Sequence, residues 1–336
     1  VRPSHRCERD LVRTGANEIT LAWSASTSSD VVAYAIDACD SANLATCATP
    51  TRTTVAASAG TSKVFSGVSA PNTMVYRIKS ATLTEAGASS SPTAIPVIDA
   101  RDSILVSNDA STSSSSSSCG SFATPCDSVG SALAATTSSP STPRSILVLP
   151  GTHTSSCGST LGSTGDVTVT SALGASRTVL DCGENSRGFE ISGSDAIEIS
   201  GLTVKKGLAT TGGGFKITNA DSVTIDSVDV VECKSQTMGG GLHAINSTPT
   251  IRHSRFIGNI GGNDRSGNNV RGAGAYFQTS SHASLQNVSF IGNELMDSGK
   301  GAGLNVDENS NVTAVGLTLK DNNCLLYTSD AADDSQ

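Results

Sequence analysis

The stretches GGGLHAINSTPTIRHSRFIGN (Gly239–Asn259) and GAGAYFQTSSHASLQNVSFIGN (Gly272–Asn293) are two copies of one pattern. Each opens on a glycine signature and closes on Phe-Ile-Gly-Asn. GGGFKI (Gly212–Ile217) and GAGLNV (Gly301–Val306) begin two further copies, followed by SVTIDSVDVVEC and NVTAVGLTLKDN. An earlier one reads RGFEI (Arg187–Ile191) and then AIEISGLTVKKG. Self-similarity at this period signals a stacked repeat. Alignment of the second segments superposes Ile199, Ile225, Ile251, Leu285 and Ala314; then Leu202, Val228, Ser254, Val288 and Leu317; then Val204, Val230, Phe256, Phe290 and Leu319. A further column holds Gly207, Cys233, Asn259, Asn293 and Asn322. The glycines at 212, 239, 272 and 301 lie 27, 33 and 29 residues apart, which suits several short strands per turn. Length varies in the turns, chiefly at the insert from Ile260 to Arg271, while the columns stay in step. These features predict an all-β parallel solenoid whose coils bury their apolar sides against one another at about 4.8 Å per layer.

Composition bounds the rest. The chain has 336 residues, room for about two domains, with 15% charged and 4% aromatic side chains. A net charge of −8 and the lack of any Lys/Arg cluster argue against a nucleic-acid partner. No apolar run approaches the roughly 18 residues of a membrane span. The sequence opens on Val1 rather than Met and reads as cut at its front, so a missing signal peptide is uninformative.

At the other end, CLLYTSDAADD (Cys324–Asp334) interrupts the repeat within a coil and resembles a translated sequencing adapter. Residues 324–336 are therefore expected to be a non-native tail, with the natural protein continuing past Asn323. Eight of the nine cysteines remain, a number that suggests an oxidising compartment. Local spacing suggests Cys39 with Cys47, Cys119 with Cys126, and Cys157 with Cys182; Cys7 and Cys233 have no obvious partner. Cys233 reads as a small apolar residue in a stacked column. Glycosylation sequons begin at Asn246, Asn287 and Asn311.

Residues 12–98 form a different block. EITLAWSAS (Glu18–Ser26), VVAYAIDAC (Val31–Cys39) and a later strand around Tyr76 are separated by turn signals, as in a β-sandwich. With Trp23 early, Val68 before a Pro-Asn turn, Tyr76 late and Tyr34 near the third strand's aromatic position, the block resembles a fibronectin type III domain. The resemblance implies a spacer or adhesive module. Arg77-Ile78-Lys79, a tripeptide found in some pectin-cleaving sites, falls on a strand of this block and is set aside.

From ARDSILVSNDAS (Ala100–Ser111) a strand leads through the serine run Ser113–Ser118 to CGSFATPCDSVGSALAATT. There Asp127 is expected to cap a short helix through Ala135, with Val129, Leu133 and Ala134 on its buried side. LPGTH and TVLDCG…RGF follow, and the Phe-x-x-Asn motif recurs fully at Phe256–Asn259 and Phe290–Asn293, with Leu for Phe at Leu319–Asn322. Residues 102–323 thus resemble a right-handed parallel β-helix of the pectin-lyase-like superfamily. More narrowly they resemble chlamydial polymorphic outer-membrane protein repeats and protist extracellular β-helix proteins. Such folds host lyases, hydrolases and adhesins alike.

Alternation along the glycine-motif strands places Phe189, Phe215, Leu242, Ala275 and Leu304 inward. Glu190, Lys216, His243, Tyr276 and Asn305 then point outward, with Ser192, Thr218, Ile245, Gln278 and Asp307 beside them. That file is the candidate ligand site, a shallow polar strip with Tyr276 as a stacking platform for a sugar. Paired catalytic carboxylates sit roughly 5 to 9.5 Å apart in glycosidases, whereas Glu190 and Asp307 fall four layers apart, about 19 Å. No catalytic residue is assigned. Asp195 and Asp221 stack in neighbouring coils, where like charges repel unless a cation bridges them, so calcium is the one cofactor considered. Asn259, Asn293 and Asn322 are expected to form a structural ladder. His243, His253 and His282 occupy different coil positions and read as surface residues; His153 is expected to face solvent.

Together these features suggest a secreted or cell-surface adhesion or recognition protein with an extended face and no catalytic set. Its expected partner is a carbohydrate or a cell-surface glycoprotein. A polysaccharide lyase or glycosidase, and a passive extracellular spacer, are the alternatives.

Overall fold

The computed structural model describes the strand backbones within residues 9–99, with few of their side chains. It then describes residues 103–324 apart from 109–112, 114, 116–117, 121–123, 136–143, 163–164, 172–173, 263–269, 297–298 and 308. The chain divides into two compact units, Val1–Asp102 and Ser103–Gln336. No helix among the described residues is long and apolar enough to cross a membrane.

The first unit contains two sheets. In one, Ser62–Ser66, Glu18–Trp23 and Arg9–Gly15 pair antiparallel, with Ile98–Asp99 parallel at the edge. In the other, Thr51–Ala56, Val31–Cys39, Thr73–Thr82 and Ala86–Ser89 follow in order, and Thr93–Pro96 also pairs with Thr73–Thr82. Ile36 and Val55 are buried. The side chains of Trp23, Tyr34 and Tyr76, residues Val68 and Cys7, and the Cys39–Cys47 pairing lie outside what is described.

The second unit is a parallel β-solenoid built of four sheets. An eight-stranded sheet runs from Ser103–Val106 through Val167–Ser171, Ile197–Ser200 and Val223–Asp226 to Asn311–Val315. A seven-stranded sheet runs from Gly151–His153 to Thr318–Lys320, and a six-stranded sheet from Ser159–Leu161 to Leu304–Val306. The fourth, five-stranded, runs from Leu208–Thr211 to Asn323–Cys324. Cys324, placed in the tail by sequence, thus pairs with Leu295; residues 325–336 are not described.

The register matches the columns read from sequence. Ile199, Ile225, Ile251, Leu285 and Ala314 are successive partners, as are Val204, Val230, Phe256, Phe290 and Leu319. Phe189 stacks on Phe215 at 5.5 Å and Phe256 on Phe290 at 4.9 Å between ring centroids. Volumes balance across the core. Where the file of Phe189 and Phe215 narrows to Leu242 and Ala275, its neighbours widen from Val230 to Phe256 and from Ala244 to Phe277. All of these side chains are buried, and trading volume between facing positions keeps the interior filled without strain.

Corners are made by single left-handed residues. Ser227, His253 and Asn287 have φ of 47° to 55° between the eight- and seven-stranded sheets. Lys206 and Glu232, followed by Gly258 and Gly292, do the same at the next corner. The last glycine of each signature answers a different need: a Cβ on Gly274 would lie 2.2 Å from the Gly303 carbonyl oxygen, so only glycine lets the backbones stack there.

Turning leaves backbone donors that no strand pairing reaches, and side-chain ladders take them up. The Cys233 N–H donates to Asn259 Oδ1, that of Asn259 to Asn293 Oδ1, and that of Asn293 to Asn322 Oδ1, at 3.0 to 3.1 Å. Each Asn Nδ2 reaches back to a carbonyl, those of Val230, Phe256 and Phe290 respectively. Cys233 does the same with sulfur, accepting from the Gly207 N–H and approaching the Val204 carbonyl. Burial pushes its thiol pKa up to about 12.

The amino-terminal end carries the helix Val129–Ala135, which packs on the first strands. Its buried residues are Val129 and Ala132, with Leu133 partly buried and Ala134 exposed, which corrects the expected face. The cap is likewise one residue later than expected: Ser128 Oγ accepts the Ser131 N–H, while Asp127 accepts the Ser128 and Ser131 hydroxyls. Disulfides Cys119–Cys126 and Cys157–Cys182 form as expected, and Cys233 is free and buried.

Asn293→Ala orphans the Asn259 N–H and leaves a cavity. It should lower unfolding free energy by about 2–4 kcal/mol in urea titrations. Cys233→Asn, which extends the ladder by one layer, should leave the midpoint undiminished.

Candidate functional site

The outward face of the six-stranded sheet carries the predicted file in register: Glu190 pairs with Lys216, Lys216 with His243, His243 with Tyr276, and Tyr276 with Asn305. Ser192, Thr218, Ile245 and Gln278 form the adjacent file. The two ends and the middle of the strip differ in kind.

At the amino-terminal end Glu190 is clamped by two cations. Arg187 Nη1 lies 2.8 Å from Glu190 Oε2 and Lys216 Nζ lies 3.3 Å from Oε1. Arg187 is itself fixed, donating to the Gly212 carbonyl through Nε and to the Thr211 carbonyl through Nη2. Its side chain is largely buried, which lowers its pKa by desolvation. Glu190 and Lys216 remain partly open.

The middle is closed. His243 is 2% exposed and Tyr276 1%, and their rings stack at 5.2 Å and 12°. The expected open platform is corrected by this burial: the Tyr276 face is occupied by His243. His243 Nε2 lies 3.2 Å from Gln278 Oε1. An amide oxygen only accepts, so Nε2 carries the hydrogen and Nδ1 is a bare acceptor. His243 Nδ1, Thr218 Oγ1 and Asn305 Oδ1 are buried atoms without a hydrogen-bond partner among the described residues. Burial lowers the His243 pKa to about 4; the Gln278 bond opposes the shift, and the Lys216 and Arg187 charges add to it. Beyond Asn305, Asp307 pairs with Arg271.

The remaining candidates are dispersed. Asp195 Oδ2 accepts the Gly165 N–H at 2.8 Å, whereas Asp221 is exposed and its carbonyl accepts the Thr248 hydroxyl. Among the described residues no group of three or more His, Cys, Asp or Glu is placed to hold a metal ion. Two carboxylates alone fall well short of the six to eight oxygens calcium takes. Asn246, Asn287 and Asn311 are exposed, and Asn246 Nδ2 donates to Asn219 Oδ1. His253 bonds Asp226 at 2.9 Å beside Arg252, lowering the Asp226 pKa against the opposing effect of its desolvation. His282 is exposed. His153, expected at the surface, is instead 1% exposed: it occupies the interior file next to Leu180, with Nε2 bonded to the Leu149 carbonyl.

Sequence reasoning missed Arg187 and a serine ladder. The N–H groups of Ala220, Ser247 and Ser281 donate to the hydroxyls of Ser247, Ser281 and Ser310 in the next layers. Ser247 and Ser281 pass their hydrogens to the carbonyls of Ile245 and Gln278. A serine five or six residues after the starts of the strands at Leu242, Ala275 and Leu304 was the available signal, masked by the abundance of serine.

Burial lowers the pKa of both His153 and His243 below 6.5. The unfolded chain therefore takes up protons first, and the stability present above about pH 6.5 should fall as pH drops towards 4. Thermal melts across this range check the sign: His243→Gln should flatten the slope.

Residues 187–334 match the family model for the right handed beta helix region. The matched span begins at Arg187 and includes every layer of the strip. No curated protein matches the chain.

Proposed function

We propose that this chain is an extracellular recognition protein that binds a carbohydrate or a cell-surface glycoprotein through the outward face of its six-stranded sheet. The observation that carries it is the Arg187–Glu190–Lys216 clamp: a charged, partly open group held rigidly at the head of an in-register polar file. A preorganised charge triad on rigid strands loses little entropy on binding. Both acids of the file are engaged by cations, Glu190 by Arg187 and Lys216 and Asp307 by Arg271, which suits recognition better than acid–base chemistry. The disulfides Cys119–Cys126 and Cys157–Cys182 support an oxidising compartment. Two mostly antiparallel sheets in the first unit support a fibronectin type III-like module that spaces or presents the solenoid.

The full chain should bind a subset of a glycan array or an intact cell surface. Lys216→Ala should weaken that binding about tenfold without shifting the melting temperature. Tyr276→Ala should instead act on folding, lowering stability by about 3 kcal/mol, because its ring is packed rather than open. Chelator-sensitive cleavage of uronate polymers would replace recognition with a lyase. Failure to bind any glycan or surface would leave a passive spacer.

A further inference from the structure

Of the three charged side chains in the clamp, the carboxylate is the most open. Glu190 is 38% exposed, Lys216 28% and Arg187 17%. Arg187 is also the most committed, because Nε, Nη1 and Nη2 donate to the Gly212 carbonyl, Glu190 Oε2 and the Thr211 carbonyl. What the clamp offers a ligand is therefore Glu190 and Lys216. An ammonium carries three donors, and among the described residues Lys216 Nζ spends one, on Glu190 Oε1 at 3.3 Å. A carboxylate has about four acceptor positions, and Glu190 has Oε1 engaged by Lys216 and Oε2 by Arg187. A donor group and an acceptor group thus stand side by side, each with capacity left.

Two cations against one carboxylate leave the clamp net positive, which at a distance favours an anionic ligand. Contact reverses that preference. A carboxylate or sulfate accepts hydrogen bonds and donates none, so one that reached Lys216 would also lie against the free lone pairs of Glu190, and like charges at that range repel. An ammonium group would suit Glu190 and be repelled by Lys216. A hydroxyl both donates and accepts. Two hydroxyls on adjacent ring carbons satisfy the pair together, one donating to Glu190 and the other accepting from Lys216. The surroundings are of the same kind. Thr160, the partner of Glu190 in the preceding layer, is exposed, and Ser192 and Thr218 in the adjacent file are half-buried. All three bear hydroxyls and none a charge. With the Tyr276 ring buried under His243, stacking on the face of a sugar is not on offer, and hydroxyl contacts remain.

Resting on the recognition reading above, we propose that the Glu190–Lys216 pair binds a vicinal diol of a neutral sugar and rejects uronates and sulfated sugars.

Retention of the full chain on immobilised polymers and on cells tests this. The expected result is binding to mannan, to galactan or to sialidase-treated cells, and none to polygalacturonate. Curdlan, a glucan whose linkage separates its free ring hydroxyls, should not bind either. Periodate splits the carbon–carbon bond of a vicinal diol, and borohydride then reduces the aldehydes so that they cannot trap a lysine. Polymers or cells so treated should lose binding by about tenfold. Glu190→Gln removes the repelling charge and should lower the ratio of neutral to uronate binding by about tenfold. The periodate comparison uses the unaltered protein, so it holds even where that variant disturbs Arg187. Binding that survives periodate, that is lost with sialic acid, that prefers polygalacturonate, or whose neutral-to-uronate ratio Glu190→Gln does not move overturns the diol and leaves recognition standing. Binding to no polymer and no cell surface overturns recognition, and the diol with it.

Discussion

Stacking of like on like is the constraint from which this structure follows. A coil of short strands has too little apolar surface to fold alone; only when the next coil places an equivalent side chain over each of its own does an interior exist. The Phe256–Phe290 pair and the asparagine column express that constraint in apolar and polar form. The polar form is the more demanding. Each asparagine must meet a neighbour's N–H, the next asparagine and a distant carbonyl at once, so a slip of one residue would forfeit the whole set.

The corners show how the same constraint tolerates sequence variation. Left-handed conformations recur at fixed points of every coil, yet glycine fills them only in some layers, with Lys206, Glu232, Ser227 and His253 in others. A non-glycine residue pays about 1–2 kcal/mol for that conformation. Exposed corners admit it because no neighbouring backbone presses on the Cβ. Gly214, Gly241 and Gly274, the last glycines of three signatures, have no such freedom, since the carbonyl of the next layer occupies the space.

On the outward face, stacking places unlike residues in one file and so creates chemistry. Glu190 and Lys216 attract because they are in adjacent layers, and Arg187 joins them from the preceding turn. His243 and Tyr276 stack for the same reason and close the middle of the strip. The clamp stays partly open, while the aromatic part, in the layers that follow, is buried.

The sequence by itself determined the parallel solenoid, its inward and outward files, the asparagine ladder, and the Cys119–Cys126 and Cys157–Cys182 bridges. These are properties of spacing, and spacing survives in one dimension when every coil repeats it. Helix placement was legible to within a residue, but the choice of Ser128 over Asp127 as cap turns on which oxygen points at the Ser131 N–H. Only the tertiary structure decided that Tyr276 is covered, that His153 belongs to the core, that Arg187 clamps Glu190, and that the serines form a second ladder. Each of these depends on what lies over a residue from another sheet or another turn. A strand's alternation tells which side a side chain leaves from, and says nothing about what it meets there.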